Sequence, residues 1–159
     1  MASVILLCGK LCCGKSTYTK TLLERRRAML LSCDELLLSL LPEQLGDLHD
    51  EVARKAKGYL LARALELLEL GVDVILDWGF WQKESRRAAE DFFHSRGFAT
   101  EWIYLHVTDE EWRRRIAKRN AEAPPLAYRV DEGLMNKCQS LFEEPDPEEG
   151  IKFQVPDLP

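Results

Sequence analysis

The chain opens with an unbroken apolar run that ends in glycine. The run over residues 3–8 is typical of a parallel strand buried on both faces, and residues 15–27 after it are predicted to form a helix. A second apolar run, AMLLSCD, ends at Asp34, and a third, VDVILD, ends at Asp77. Carboxylates are therefore expected where two of the predicted strands end.

Helical periodicity marks the long segment between the second and third runs. Over residues 47–70 the apolar positions form one broad stripe. Its members are Val52, Ala56, Tyr59, Leu60, Ala64, Leu67 and Leu68. Gly71 follows where the end of a helix favours a left-handed residue, so the helix is expected to stop there.

The rest of the chain continues this alternation. Strands are predicted over residues 100–107 and 151–155, and helices over residues 83–96, 109–121 and 131–142. Gly97 stops the first of these helices and Thr108 caps the second. Alternating strands and helices predict an α/β fold, a three-layer α-β-α sandwich with a mainly parallel sheet. We expect one domain over residues 1–159.

Composition limits the classes of partner. The 159 residues are 46% hydrophobic and 31% charged, with a formal net charge of −5. An acidic balance provides no general positive field for a polyanion, so nucleic-acid binding is not favoured. The apolar runs are too short to cross a membrane, and Met1 leads directly into the first strand. We therefore expect a cytoplasmic protein, whose oligomeric state the sequence leaves open.

The first strand leads into a phosphate-binding pattern. GKLCCGKS fits G-x-x-x-x-G-K-[ST] without a mismatch, between a buried strand and a helix as the mechanism requires. The glycines let backbone amides point inward, and the helix adds its positive N-terminal end. Lys15 is predicted to reach the β- and γ-phosphates and Ser16 to bind Mg²⁺. ATP and Mg²⁺ are thus the predicted ligands, held by Gly9, Lys10, Leu11, Cys12, Cys13, Gly14, Lys15, Ser16 and Thr17.

Two of the loop positions are cysteines. The five cysteines contain no C-x-x-C pair and the three histidines have no ligand-like spacing, which argues against a zinc site. Cys12 and Cys13 occupy variable positions of the pattern, so the favoured interpretation is that they fill space in the loop. The alternative is that the helix N-terminus and Lys15 make one thiol sensitive to oxidation.

The two strand-end aspartates have different predicted roles. Asp77 is expected to hold Mg²⁺, directly or through water. Asp34, at the same edge of the sheet, is expected to take the proton from an attacking hydroxyl and to lie against the acceptor. The structural alternative for each is a helix cap or a turn.

Aromatic residues directly follow Asp77. Trp78, Phe80 and Trp81 lie in a loop at the carboxyl edge of the sheet. They either pack beneath that edge or form an aromatic wall for the phosphate acceptor.

The helix over residues 109–121 carries a cluster of basic residues. Trp112 and Ile116 are expected to face the core, while Arg115 and Arg119 share a face just before the Pro-Pro loop. That position suits arginines of a lid, spanning approximately residues 113–131, that closes over the transferring phosphoryl group.

With these motifs, the chain resembles the small P-loop kinase-like proteins usually labelled AAA-domain ATP-binding proteins. Their relatives include polynucleotide 5′-hydroxyl kinase, chloramphenicol phosphotransferase, gluconate kinase and the zeta-toxin kinases. The resemblance implies that Lys15, Ser16 and Thr17 bind nucleotide phosphates and Mg²⁺, that Asp34 is the base for the acceptor hydroxyl, and that Arg115 and Arg119 are lid arginines. Polynucleotide kinases carry an arginine shortly after the second-strand aspartate. This chain reads DELLLSLL there, which suggests a less charged acceptor.

The predicted function is an ATP-dependent phosphotransferase, a P-loop kinase that moves the γ-phosphoryl group to a hydroxyl of a small molecule. One alternative is a nucleoside, nucleotide or polynucleotide kinase. Another is a nucleotide-binding regulatory ATPase or switch, for which Asp34 would be dispensable.

Overall fold

A computed structural model describes residues 1–41, 45–125 and 127–154. Its centre is a five-stranded sheet in which all neighbouring strands run parallel, in the order β2-β3-β1-β4-β5. The strands are β1 (Ser3–Cys8), β2 (Ala28–Leu31), β3 (Asp73–Gly79), β4 (Ala99–Leu105) and β5 (Lys152–Gln154).

Among these described residues, six α-helices connect and cover the strands. They are α1 (Lys15–Arg25), α2 (Cys33–Leu40), α3 (His49–Glu69), α4 (Lys83–His94), α5 (Asp109–Glu122) and α6 (Glu132–Leu141). Short 3-10 turns over Gly46–Leu48 and Pro147–Glu149 precede α3 and β5. In the part of the chain that is described, no helix is both long and apolar enough to cross a membrane.

The sheet has a hydrophobic core on each face because β1 lies at its centre and is buried. Val4, Leu6 and Cys8 pack with residues of α2, α3 and α4 on one face, including Leu60 of α3. The alternate residues of β1, such as Ile5, pack with α1, α5 and α6 on the other. Alternation of side chains along one strand therefore produces the three layers that the sequence predicts.

Local signals for helix ends are confirmed. Gly71 and Gly97 both have φ of 80°, in the left-handed region that favours glycine after a helix. The Thr108 side chain accepts a hydrogen bond from the Glu111 amide at the start of α5. Trp112, buried on that helix, faces the core as predicted.

The surroundings of Asp34 differ from the prediction. β2 ends at Leu31 and lies at the edge of the sheet, so Asp34 does not end an inner strand. It lies instead in the first turn of α2, a helix that the sequence analysis did not predict. Ser32 caps this helix by accepting from the Glu35 amide, and the Ser-x-x-Glu spacing was the available signal.

Smaller differences occur elsewhere. α1 ends at Arg25, two residues before its predicted end, and β3 runs two residues beyond Asp77 to Gly79. Tyr59, predicted on the buried stripe of α3, is 57% exposed. The strand predicted over residues 151–155 is β5, and residue 155 lies outside the described part of the chain.

Candidate functional site

The loop between β1 and α1 is tightly folded at its first glycine. A Cβ atom on Gly9 would lie 2.6 Å from Cys13 Sγ and 3.0 Å from the Leu105 carbonyl oxygen, so no larger residue fits. The Gly9 amide donates to the Gly79 carbonyl at 2.9 Å, which ties the loop to the end of β3. At its other end Gly14 has φ of 103°. Glycine is thus required at both ends of the loop.

The backbone amides at the start of α1 suit an anion. Gly14 is the N-cap and provides no side-chain acceptor, and the first turn contains no acidic residue. Ser16 and Thr17 in that turn are exposed. The first amides of a helix have no partners within the helix, so this end presents donors and a positive dipole without a competing carboxylate. These features fit the phosphates of a nucleotide.

Lys15 lies within the loop. Its Nζ donates to the carbonyl oxygens of Lys10 at 2.6 Å and Gly9 at 3.1 Å, and lies 3.6 Å from Cys13 Sγ. Burial disfavours the charge, but the attraction of Cys13, Asp77 and Asp34 outweighs it and raises the pKa of Lys15. Lys15 is therefore a stable cation between the loop and the two carboxylates.

Asp77 is held next to Lys15 and Asp34. Burial raises its pKa to about 6, and the negative charge of Asp34 adds to the shift, while Lys15 and a hydrogen bond from Ser32 oppose it. Ser32 therefore links the two aspartates, since it also caps the helix that carries Asp34. Asp34 itself is exposed. Lys15, Asp34 and Asp77, selected separately from the sequence, lie close enough that both carboxylates act on the charge of Lys15.

These groups are of the kind that hold Mg²⁺ beside a nucleotide. Ser16 provides an exposed hydroxyl and Asp77 a carboxylate, and magnesium favours such oxygen ligands while keeping several waters. Among the described residues, no three His, Cys, Asp or Glu side chains form a closed metal-binding cluster. The donor set thus fits a metal shared with phosphates rather than one enclosed by protein.

α5 packs directly on residues 9–14, the loop between β1 and α1 that is called the phosphate loop below. Arg115 donates from Nη1 to the Cys13 carbonyl at 2.8 Å and from Nε to Glu111 at 2.7 Å. Arg119 Nη1 lies 3.1 Å from Cys12 Sγ. The two predicted lid arginines therefore contact the loop itself, through the two cysteines that the sequence left ambiguous.

The remaining loop positions also contact α5. The Leu11 carbonyl accepts from Trp112 Nε1 at 2.8 Å. Lys10 Nζ lies 4.7 Å from the centroid of the Trp112 ring and 3.2 Å from Asp109. The helical pattern predicts Trp112 in the core, but it does not indicate that the indole N–H also supports the loop between β1 and α1.

The aromatic residues after Asp77 differ in how deeply they are buried. Phe80 is 7% exposed and packs between Trp78 and Trp102, with ring centroids 5.8 and 5.1 Å away, so it belongs to the core rather than to an open wall. Trp78 is half-buried, and its Nε1 donates to the Leu31 carbonyl at 3.0 Å. Trp81 is also partly buried. Trp78 packs against the core on the α3 side of the sheet and Trp81 against the core on the α5 side, so the three side chains do not form one continuous wall.

A buried arginine, which the sequence analysis missed, holds the segment after β3. Arg86 is 2% exposed and forms a bidentate pair with Glu149 at 2.7 and 2.9 Å. Its Nη1 also donates to the carbonyl oxygens of Phe80, Trp81 and Glu143. Because Gly79 in the same segment bonds to Gly9, the pair supports one side of the phosphate loop. No local pattern connects two residues 63 positions apart.

The base of the predicted lid is closed by a side chain. Asn120 donates to the Val130 carbonyl at 2.7 Å and accepts from the Val130 amide at 2.9 Å. The proline-rich loop between them is therefore anchored at both ends, and Leu126 within it lies outside the described residues. Tyr128 of this loop contacts His49 at the start of α3, with ring centroids 5.4 Å apart.

The chain is similar to a known protein family and to several solved structures. The model of the AAA domain family matches residues 4–145. No curated protein sequence matches. Among solved structures, Chaetomium thermophilum Kti12 in complex with ADP-AlF3 has a TM-score of 0.73 at 17% identity, over 97% of this chain and 89% of that chain.

Two further structures have the same fold. Mycobacterium tuberculosis APS kinase CysC, in complex with AMPPNP and APS, has a TM-score of 0.66 at 17% identity, over 99% of this chain and 90% of its own. A chain of the Pnkp1/Rnl/Hen1 RNA repair complex has a TM-score of 0.71 at 17% identity, over 88% of this chain. This chain covers only 43% of that longer one. The three-layer P-loop kinase fold predicted from the sequence is confirmed.

Proposed function

Since the chain belongs to the AAA domain family and has the fold of P-loop kinases, we propose that it transfers the γ-phosphoryl group of ATP to a hydroxyl of a small molecule. The observation that carries this proposal is the convergence of Lys15, Asp77 and Asp34 beside the phosphate loop, where each carboxylate acts on the charge of the lysine. A protein that only bound nucleotide would need no second carboxylate.

Residues 9–17 are the nucleotide-binding segment of this proposal. The backbone amides at the start of α1 bind the phosphates, and Lys15 places its charge at the β- and γ-phosphates. Ser16 and Asp77 would hold Mg²⁺, which neutralises phosphate charge when bound. Binding in this way depends on the backbone, so the side chains of Cys12 and Cys13 serve the packing of the loop.

Asp34 is the base for the acceptor hydroxyl. It is exposed at the first turn of α2, and so a substrate can reach it, whereas Asp77 is partly buried. An acceptor hydroxyl hydrogen-bonded to the Asp34 carboxylate loses its proton to it as the oxygen bonds to the γ-phosphorus, and ADP leaves. Trp78 and Trp81 are the side chains proposed to flank the acceptor.

Arg115 and Arg119 are proposed to stabilise the phosphoryl group during transfer. Both guanidinium groups already reach the phosphate loop, through the Cys13 carbonyl and the Cys12 sulfur. A bound γ-phosphate offers stronger acceptors than a carbonyl or a thiol, so the arginines are expected to move to it. We further propose that the chain is a single domain whose lid spans approximately residues 113–131.

The test is a screen of hydroxyl compounds for acceptor-stimulated release of ADP from ATP in the presence of Mg²⁺. At least one compound should stimulate release in a saturable manner. Lys15→Ala should abolish this stimulation without unfolding the protein. Lys20→Ala, which removes an exposed lysine from the same helix, is the matched control and should remain active.

The other outcomes of this screen identify the alternatives. Tight ATP binding with slow hydrolysis and no saturable acceptor would refute the transferase and favour a regulatory ATPase or switch. Efficient labelling of a 5′-hydroxyl oligonucleotide would favour a polynucleotide kinase if the labelling falls steeply as the salt concentration rises. Several contacts to phosphates release counterions, and binding of that kind is weakened by salt.

A further inference from the structure

A cation that does not come from the segment after Asp34 lies beside Trp78, a side chain proposed to flank the acceptor. Lys57 of α3 is half-buried, and its Nζ lies 5.8 Å from the centroid of the Trp78 ring. The hydrogen bond from Trp78 to Leu31 fixes that ring at the end of β3, one residue after Asp77. The lysine therefore lies over the aromatic surface proposed to flank the acceptor.

The charge of Lys57 lies next to the start of α2, which carries Asp34. Burial raises the pKa of Cys33 to about 11, and Lys57 is the main cation opposing that shift. Cys33 Sγ in turn contacts the Ala53 carbonyl at 3.7 Å, one turn before Lys57 on α3. α3 thus places the ammonium group beside the residue preceding the proposed base.

The nearby carboxylates have other partners. Asp77 is influenced chiefly by Lys15 among the cations. Asp50 is bound by Lys137 at 3.0 and 3.1 Å, and Lys57 contributes only a weaker attraction to it. Within residues 1–41, 45–125 and 127–154, no carboxylate oxygen lies within the 4.0 Å ion-pair distance of Lys57 Nζ. A half-buried ammonium has three donors, and a tryptophan face satisfies them only in part.

Further donors lie on the same side. Tyr128 contacts His49 of α3, and burial, followed by the charge of Asp34, raises the pKa of Tyr128. The phenol therefore lies within electrostatic range of Asp34. The Tyr128 hydroxyl is thus a second polar group near Asp34, and the His49 ring contacts the ring that carries it.

We propose that the acceptor carries an anionic group, a carboxylate, sulfate or phosphate, in addition to its reacting hydroxyl, and that Lys57 binds this group. The inference rests on the proposed phosphotransferase function and names the substrate class. The leucines after Asp34 suggested a less charged acceptor, but the fold provides the cation from a different helix. One lysine suits a small anion, whereas a polynucleotide requires several cationic contacts.

The binding test uses matched small probes on protein saturated with ADP, so that the phosphate loop is occupied. Acetate and acetamide have nearly the same shape and differ in charge, and inorganic phosphate serves as a second anion. The probes are titrated at constant ionic strength while the indole N–H resonance of Trp78 is followed by NMR, assigned with Trp78→Phe. Acetate and phosphate should shift this resonance saturably, and acetamide should not.

Substitution on α3 then identifies the lysine. Lys57→Met should weaken the response to acetate about tenfold or more, the scale of a hydrogen bond to a charged group. Lys55→Met is the matched control: Lys55 is exposed on the same helix, paired with Glu51, and its loss should leave the acetate response unchanged. Equal responses to acetate and acetamide, no saturable anion response, or an unaltered response in Lys57→Met would overturn the proposal.

The acceptor screen separates this proposal from the function on which it rests. With an anionic acceptor, Lys57→Met should raise KM about tenfold and change kcat much less, because the contact is made in both ground and transition states. Saturable anion binding without acceptor-stimulated turnover would refute the phosphotransferase alone. Turnover with neutral compounds and no effect of Lys57→Met would refute the anionic acceptor alone.

Discussion

Asp77→Asn should stabilise the fold at neutral pH while impairing nucleotide binding with Mg²⁺. The pKa of Asp77 is raised from 3.8 to about 6, first by burial and then by the charge of Asp34. A raised folded-state pKa means that folding favours the protonated carboxyl. The stability that this group contributes is therefore fully present below pH 3.8 and is lost as the pH rises through about 6.

The magnitude follows from the same shift. A difference of about two pKa units, at about 1.4 kcal/mol each, corresponds to about 3 kcal/mol of lost stability at pH 7.5. Asparagine has nearly the same shape and cannot ionise. The variant should thus be about 2–3 kcal/mol more stable than the wild type at pH 7.5, only slightly less so at pH 6, and about 0.5 kcal/mol more stable at pH 4.

Urea unfolding followed by tryptophan fluorescence measures this difference. Both proteins are unfolded at the three pH values in EDTA, so that no metal binds the carboxylate. Asp47→Asn, at an exposed aspartate, is the control and should change stability little at any pH. If Asp77→Asn has the same effect at all three pH values, or is least stable at pH 7.5, Asp77 is not held in an unfavourable charged state and the electrostatic account of the site is wrong.

A carboxylate that lowers stability in its charged form is expected where function requires it. Asparagine is a poor substitute for a carboxylate near Mg²⁺. In the variant, the Mg²⁺-dependent part of ATP affinity should fall even though the fold is more stable. An unchanged Mg²⁺ dependence would remove Asp77 from the proposed metal site.

The other predictions concern the base, the buried ion pair and the loop cysteines. Asp34→Asn should lower acceptor phosphorylation about 10²-fold with little change in ATP affinity; if ATP binding fails instead, Asp34 belongs to the metal site. Arg86→Met should lower the free energy of unfolding by about 3 kcal/mol, because it leaves a buried carboxylate unpaired. Lys55→Met removes an exposed ion pair and should lower it by less than about 0.5 kcal/mol. Equal losses for the two variants in urea unfolding would contradict this prediction. Cys12→Ser should retain ATP binding, since the loop binds through its backbone, and a loss of about tenfold in a titration would show that the sulfur takes part. Cys13→Ser, at a fully buried position, should lower Tm instead, and an unchanged Tm would contradict that packing role.

The sequence by itself determined the parts of this protein that depend on neighbouring residues. A buried strand, a glycine-bounded loop and a helix follow one another within residues 3–25, so the fold of the segment proposed to bind phosphates is predictable from local pattern. The Thr108 cap and the glycines at 71 and 97 mark helix ends for the same reason. Local backbone geometry and period are encoded in adjacent residues.

The prediction near Asp34 failed on a local ambiguity. SCDELLLSLL is compatible with a strand that ends at the aspartate or with a capped helix that contains it. Periodicity does not separate short apolar runs of the two kinds. Packing of α2 against α3 and β3 decided for the helix, which leaves Asp34 exposed at its first turn.

Only the tertiary structure decided which distant residues meet at the site. Arg115 reaches the Cys13 carbonyl across 102 positions, Arg86 binds Glu149 across 63, and Lys57 lies over Trp78 from another helix. Each of these contacts depends on how the helices pack on the sheet. The helical period of the sequence indicates which face of a helix is apolar, but it does not indicate which residues that face contacts. The sequence therefore determined the loop that is proposed to bind phosphates, while packing across the sheet determined which charges surround that loop.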